Sequence, residues 1–143
     1  MPHDHDEATW QPISAMPLIG CMIAGALEDT REHLATLAEA RSRPHMLDDE
    51  ALDRSGRVHG EQLEFVAIYE QQIGRWRAGV PSATQVRELD GMEEQARQLR
   101  MATKQVLALL GELRRGSVDR VMGLSDAELG LQALLGTLST RRL

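Results

Sequence analysis

Three histidines in the body of the chain, His33, His45 and His59, are the residues with the most obvious chemical potential. Imidazole nitrogens bind zinc, copper, iron and nickel. A carboxylate-bridged two-metal site in a helical protein needs Glu-x-x-His on two helices and further glutamates facing them. The chain has no Glu-x-x-His; Asp29 lies four residues before His33. We therefore expect a surface salt link between Asp29 and His33, with no metal and no cofactor.

Residue patterns for nucleophilic catalysis are absent as well. The chain has no Gly-x-Ser-x-Gly and no glycine-rich loop after a strand. Its single cysteine, Cys21, cannot form an intramolecular disulfide and lies in an apolar run where a thiolate is disfavoured. Residues 18–21 resemble the lipobox of bacterial lipoproteins, but acids and Pro12 precede them where a signal peptide has a cationic start and an apolar stretch. We predict no catalytic residue and expect a cytoplasmic protein.

A more informative group consists of polar side chains on faces that helical periodicity assigns to the interior. A buried polar group without a hydrogen-bond partner costs about 1–3 kcal/mol. These side chains could satisfy one another, fix the register of the helices, or line a small cavity that binds a ligand. The group comprises Thr30, His59, Gln62, Tyr69 and Thr103.

The elements that must position these residues are helices. A first helix is predicted from about residue 17 to 42, because apolar residues recur at spacings of three and four and Pro44 follows. A second is predicted from Asp48 or Asp49 to Gly79, with a kink or break near residues 55–60, where Gly56 and Gly60 weaken it. Its aromatic residues are predicted to share one inward face and to anchor the core: Phe65, Tyr69 and Trp76.

The third helix has the clearest pattern in the chain. Eight residues follow one another at alternating spacings of three and four, which is a heptad seam. Ser82 and Gln85 predict a capping box at its start, and the pair Arg114 and Arg115 before Gly116 predicts its end. The seam consists of Leu89, Met92, Ala96, Leu99, Thr103, Val106, Leu110 and Leu113.

A short helical turn is predicted at 118–122, and a last, shorter helix after a second capping box at residues 125–128. No stretch alternates apolar and polar residues as a strand would. The fold class is therefore predicted to be all-α, an elongated up-and-down bundle of three long helices plus a shorter C-terminal one. Residues 1–14 are expected to form a mobile acidic, histidine-containing tail, and residues 15–143 one domain.

Charge limits the classes of partner. Sixteen Lys and Arg against 22 Asp and Glu in 143 residues give a net charge of −6, which argues against general binding of nucleic acid or an anionic membrane. The first helices are the acidic part of the chain, so any electrostatic partner should meet them. We expect no nucleic-acid partner and no membrane, and regard a basic protein as one candidate partner.

These observations favour a small protein that functions by protein–protein contact, as a homodimer. The long third helix suggests self-association, and the C-terminal segment has more apolar surface than one short helix buries. An alternative is a bundle that binds a small ligand or metal in a polar core pocket on helix two. The predicted interface comprises exposed parts of helix three together with Leu124, Leu129, Leu131, Leu134, Leu135 and Leu138.

Overall fold

The computed structural model describes residues 10–43 and 48–122 and consists of three long α-helices. A single 3-10 turn, Ile13–Ala15, leads into α1, Met16–Ala40, which is followed by α2, Asp49–Ala78, and α3, Ala83–Met122. The described ranges contain no β-strand. The all-α prediction is confirmed.

Helix α1 begins and ends within two residues of the predicted bounds. Pro17 occupies its first turn, where the missing N–H has no helical partner to lose. One face is buried, including Ile23, Leu27 and Leu37, whereas Leu18 and Cys21 are exposed. By length and composition the span Ile13–Ala40 is apolar enough to cross a membrane, a property that core helices of soluble proteins and signal sequences share.

Helix α2 is continuous, so the predicted break near residues 55–60 is wrong. Asp48 caps its first turn by accepting a hydrogen bond from the Ala51 N–H at 2.7 Å. Gly56 and Gly60 each weaken a helix by about 1 kcal/mol relative to alanine. Leu52 and His59 are buried on either side of Gly56, and this packing keeps the segment helical.

Helix α3 begins as predicted and ends later. Gln85 Oε1 accepts from the Ser82 N–H at 2.9 Å, and Ser82 Oγ accepts from the Gln85 N–H at 3.2 Å, which confirms the capping box. The helix then passes through Gly116 to Met122, so the predicted end at Arg115 is wrong. At 1.5 Å per residue its 40 residues span about 60 Å.

Contacts with α2 explain why α3 does not stop at Gly116. Arg114 pairs with Asp49 at 2.7 Å and with Asp53 at 3.2 Å, and Ser117 Oγ lies 2.6 Å from Asp49 Oδ1. Surface pairs of this kind are individually weak, at about 0–1 kcal/mol. Together they tie the last turns of α3 to the first turn of α2.

Side-chain pairs establish the directions of the helices. Arg31 and Arg41 of α1 contact Gln98 and Glu112 of α3, so these two helices run parallel. Asp49 and Arg77 of α2 contact Ser117 and Asp90 of α3, so α3 runs antiparallel to α2. Helix α3 packs closely against both α1 and α2.

The hydrophobic core consists of two clusters at different levels along the helices, and the seam of α3 contributes to both. All eight seam residues are buried except Leu113, which is half-buried. The larger cluster includes Ile23, Val66 and Leu99, and the smaller one lies at the Asp49 end around Leu37 and Leu52. The predicted seam of α3 is therefore confirmed.

The residues before Ile13 contact the C-terminal end of α2. Gln11 accepts a hydrogen bond from Trp76 Nε1 on its carbonyl oxygen at 2.9 Å, and its N–H donates to Gln72 Oε1 at 2.8 Å. The guanidinium of Arg75 lies 4.6 Å from the ring centroid of Trp10. This segment covers the C-terminal end of α2.

Some predictions concern residues outside the described ranges. They are the position of His45, the last helix after residue 125, and the leucines of the predicted interface, namely Leu124, Leu129, Leu131, Leu134, Leu135 and Leu138.

Candidate functional site

One polar residue from each helix meets at the centre of the molecule. Gln62 Nε2 on α2 donates to Thr30 Oγ1 on α1 at 2.8 Å and to Thr103 Oγ1 on α3 at 2.9 Å. Thr30 and Thr103 are 2% and 0% exposed. We call Thr30, Gln62 and Thr103 the polar layer.

The directions of these bonds follow from the backbone. Thr30 Oγ1 donates to the Ala26 carbonyl at 2.6 Å, and Thr103 Oγ1 donates to the Leu99 carbonyl at 2.7 Å. Each hydroxyl has one proton, so each can only accept from Gln62. Both amide protons of Gln62 are therefore used, and the expectation that these polar residues satisfy one another is confirmed for Thr30, Gln62 and Thr103.

Loss of one acceptor in this layer should lower stability. We expect Thr103→Val to reduce the free energy of unfolding by about 1–3 kcal/mol, because one N–H of Gln62 then has no partner. The matched control is Thr36→Val, since Thr36 Oγ1 donates to the Glu32 carbonyl in the same way but on an exposed face. That variant should change stability by less than about 0.5 kcal/mol in urea denaturation. Equal effects of the two substitutions would contradict the role of the layer.

His59 takes part in a second polar cluster, beside the layer. The rings of His33 on α1 and His59 on α2 are parallel within 4°, with centroids 4.9 Å apart. His59 Nδ1 donates to the Ser55 carbonyl at 2.8 Å, and His33 Nε2 lies 2.8 Å from Ser55 Oγ. We call His33, Ser55 and His59 the histidine cluster.

The expected salt link between Asp29 and His33 is not among the ion pairs of residues 10–43 and 48–117. The structure instead turns His33 toward α2, while Asp29 lies exposed. The same described residues contain no group of three His, Cys, Asp or Glu side chains that could hold a metal ion.

Burial, followed by the charge of His59, lowers the pKa of His33 below its ordinary value of 6.5. The unfolded chain then binds a proton at a higher pH than the folded chain does. Stability should therefore fall as the pH drops below about 6.5, and level off below the folded pKa of His33. Urea denaturation of wild type and of His33→Gln between about pH 5 and pH 8 measures this. The variant should lose part of the pH dependence; identical slopes would contradict the prediction.

An apolar groove runs between α1 and α2, directly beside the polar layer. Its volume is about 250 Å³, and Leu99 of α3 contributes to it. Phe65 and Val58 are 55% and 54% exposed, and Tyr69 is half-buried. We refer to this feature as the α1–α2 groove, and its lining residues are Ala26, Val58, Glu61, Gln62, Phe65, Tyr69 and Leu99.

Phe65 departs from the prediction that the aromatic residues of α2 share an inward face. Trp76 is 6% exposed and Val66 is fully buried, so the predicted face is otherwise largely correct. Position 65 lies about 100° around the helix from Val66, at the edge of the buried face. There it faces the gap between α1 and α2, and its ring lines the groove.

Gln62 also provides a polar acceptor beside the apolar part of the groove. Both amide protons of Gln62 are used in the polar layer, and no donor from the described part of the chain pairs with its Oε1 atom. Since Gln62 lines the groove, this oxygen is the group through which an occupant could bind to the layer.

The structure thus divides the predicted site residues between neighbouring features. Thr30, Gln62 and Thr103 form the polar layer, His59 stacks on His33, and Tyr69 lines the groove with Gln62. Sequence reasoning missed Ser55 and the outward position of Phe65. No amphipathic signal marks Ser55, because its role depends on the approach of α1.

Comparison with known proteins gives no family assignment. No family model matches this sequence, and no similar protein was found among curated proteins or among solved structures.

Proposed function

We propose that this protein acts by protein–protein contact and that it forms a homodimer. The observation that supports the proposal is the α1–α2 groove, in which an aromatic ring and a valine remain more than half exposed. Single exposed apolar residues are common on soluble proteins, whereas contiguous apolar surface is typical of interaction sites.

Further apolar residues extend this surface along both helices. Met22, one turn before Ala26 on α1, is 47% exposed, and so is Ile68 on α2. A complete architecture that fits the proposal is an elongated up-and-down bundle whose shorter C-terminal helix contributes leucines to the interface. The proposal also places the protein in the cytoplasm, in keeping with its one cysteine, Cys21, which is a free thiol.

Co-purification of two copies with different tags tests the homodimer. Each copy carries one tag, both are expressed together, and one tag is used for capture. We expect the second tag to be retained at high salt, because the contact is mainly apolar. Recovery of the captured copy alone would contradict the proposal. Salt-sensitive recovery of a basic protein in place of the second copy would favour the basic partner instead.

The second candidate function is small-ligand binding beside the polar layer. The acceptor Oε1 of Gln62 in an apolar groove favours this role over a metal site. A ligand would need an apolar body and a hydrogen-bond donor. A thermal-shift screen of such compounds tests it: a ligand that stabilises wild type but not Gln62→Leu would support this function, and a flat screen would count against it.

A further inference from the structure

We propose that the α1–α2 groove receives the leucine-bearing C-terminal segment, residues 124–143, of a second copy of this chain. This inference rests on the proposed homodimer and specifies which surfaces meet in it. Three properties of the groove support it: its apolar lining, its charge, and its distance from the end of α3.

The apolar lining matches the segment in chemistry. Val58 and Phe65 present exposed carbon surface on the α2 side, and Ala26 leaves space on the α1 side. In the segment, four leucines recur at spacings of three, one and three, which places them on one face of a helix. They are Leu131, Leu134, Leu135 and Leu138.

The charges of the groove and of the segment favour one orientation of the segment in the groove. Glu61 lines the groove, and Asp29 is exposed on α1 one turn before His33. Neither carboxylate belongs to an ion pair within the described part of the chain. The segment carries Arg141 and Arg142, three and four residues after Leu138. If these leucines entered the groove, the two arginines would come close to Asp29 and Glu61, which have no cationic partner within the described part of the chain.

The position of the groove along the molecule favours a second copy over the same chain. Ser117 lies level with Asp49, because their side chains are hydrogen-bonded. From that level, Val58 is about 14 Å along α2, Phe65 about 24 Å and Tyr69 about 30 Å, at 1.5 Å per residue. The groove thus occupies the middle of the molecule.

The chain's own segment would start from the far end. Helix α3 runs to Met122, about 8 Å beyond the level of Ser117. After a turn at residues 123–124, a helix folding back would bring Leu131 about 1 Å, and Leu138 about 12 Å, above that level. Leu138 would come within about 2 Å of the level of Val58 but would stay about 12 Å short of Phe65. The leucines of the same chain would therefore reach only the near edge of the groove, whereas those of a second copy can enter along its length.

A complementation experiment on the full chain tests this arrangement. One variant, Phe65→Glu, damages the groove, and the other, Leu134→Glu with Leu138→Glu, damages the segment. We expect each variant alone to be monomeric and an equimolar mixture to form a heterodimer, since one intact groove then meets one intact segment. Mass photometry or light scattering reads the masses. Met101→Glu is the matched control: Met101 on α3 is 56% exposed, as Phe65 is 55% exposed, but it does not line the groove, so this variant should dimerise as wild type does.

Each other outcome overturns the inference in a distinguishable way. A dimeric Phe65→Glu variant would show that the groove is not the contact surface, while leaving the homodimer intact. If circular dichroism shows that Phe65→Glu is unfolded, Val58→Glu is used as the groove variant in its place. A mixture that stays monomeric shows that groove and segment do not meet between copies. A monomeric wild type removes the homodimer itself, and with it this inference.

Discussion

We expect Trp76→Ala to lower the free energy of unfolding by about 3–5 kcal/mol, the usual range for removing a large buried aromatic side chain. Trp76 is 6% exposed and packs in the larger core cluster. Its Nε1 also donates to the Gln11 carbonyl, so the substitution removes one of the hydrogen bonds that hold residue 11 against the end of α2. Urea denaturation followed by circular dichroism measures the change.

Two control variants separate burial from hydrogen bonding at this position. Trp76→Phe keeps most of the apolar volume and loses the bond to Gln11, so it should cost less than Trp76→Ala. Trp10→Ala removes only the ring beneath Arg75, worth about 0.5–1 kcal/mol at an exposed site. If Trp76→Ala cost no more than Trp10→Ala, the core assignment of Trp76 would be wrong.

We expect the second large effect from Leu99→Ala, about 2–5 kcal/mol. Leu99 is fully buried and packs in the larger core cluster, to which all three helices contribute. It also lines the α1–α2 groove. The smaller side chain leaves a cavity that the neighbouring helices close only in part. Because α3 packs against both α1 and α2 there, a loss at this position weakens both contacts.

The matched control for Leu99 is Met101→Ala, two residues further along the same helix. Met101 is 56% exposed, so its truncation should change the free energy of unfolding by less than about 0.5 kcal/mol. Both variants keep alanine in a helix, where its intrinsic propensity is highest. A cost below about 1 kcal/mol for Leu99→Ala would contradict its place in the core.

The helices and most of the buried positions could be predicted because they depend on local periodicity. The seam of α3 repeats without interruption, and the capping box of Ser82 and Gln85 marks its start. The errors fall where tertiary contacts outweigh local preference. Gly56 remains helical between buried neighbours, and Gly116 remains helical because Arg114 and Ser117 bind to α2.

The candidate site could be predicted only in part, for a related physical reason. Thr30 and Thr103 lie in seams, so their burial follows from spacing, and a partner such as Gln62 could be anticipated. The stack of His33 on His59 depends on how closely α1 approaches α2, and the spacing of residues along the sequence does not contain that distance. The outward position of Phe65 depends on that same gap, and the α1–α2 groove exists because the two helices leave it open.

Sedimentation equilibrium of the untagged full chain over a range of concentrations tests the central claim, self-association, most directly. We expect a mass that approaches twice the 15.9 kDa of one chain at high concentration, and a Phe65→Glu variant that stays near the mass of one chain. A wild-type mass of one chain at every concentration would contradict it.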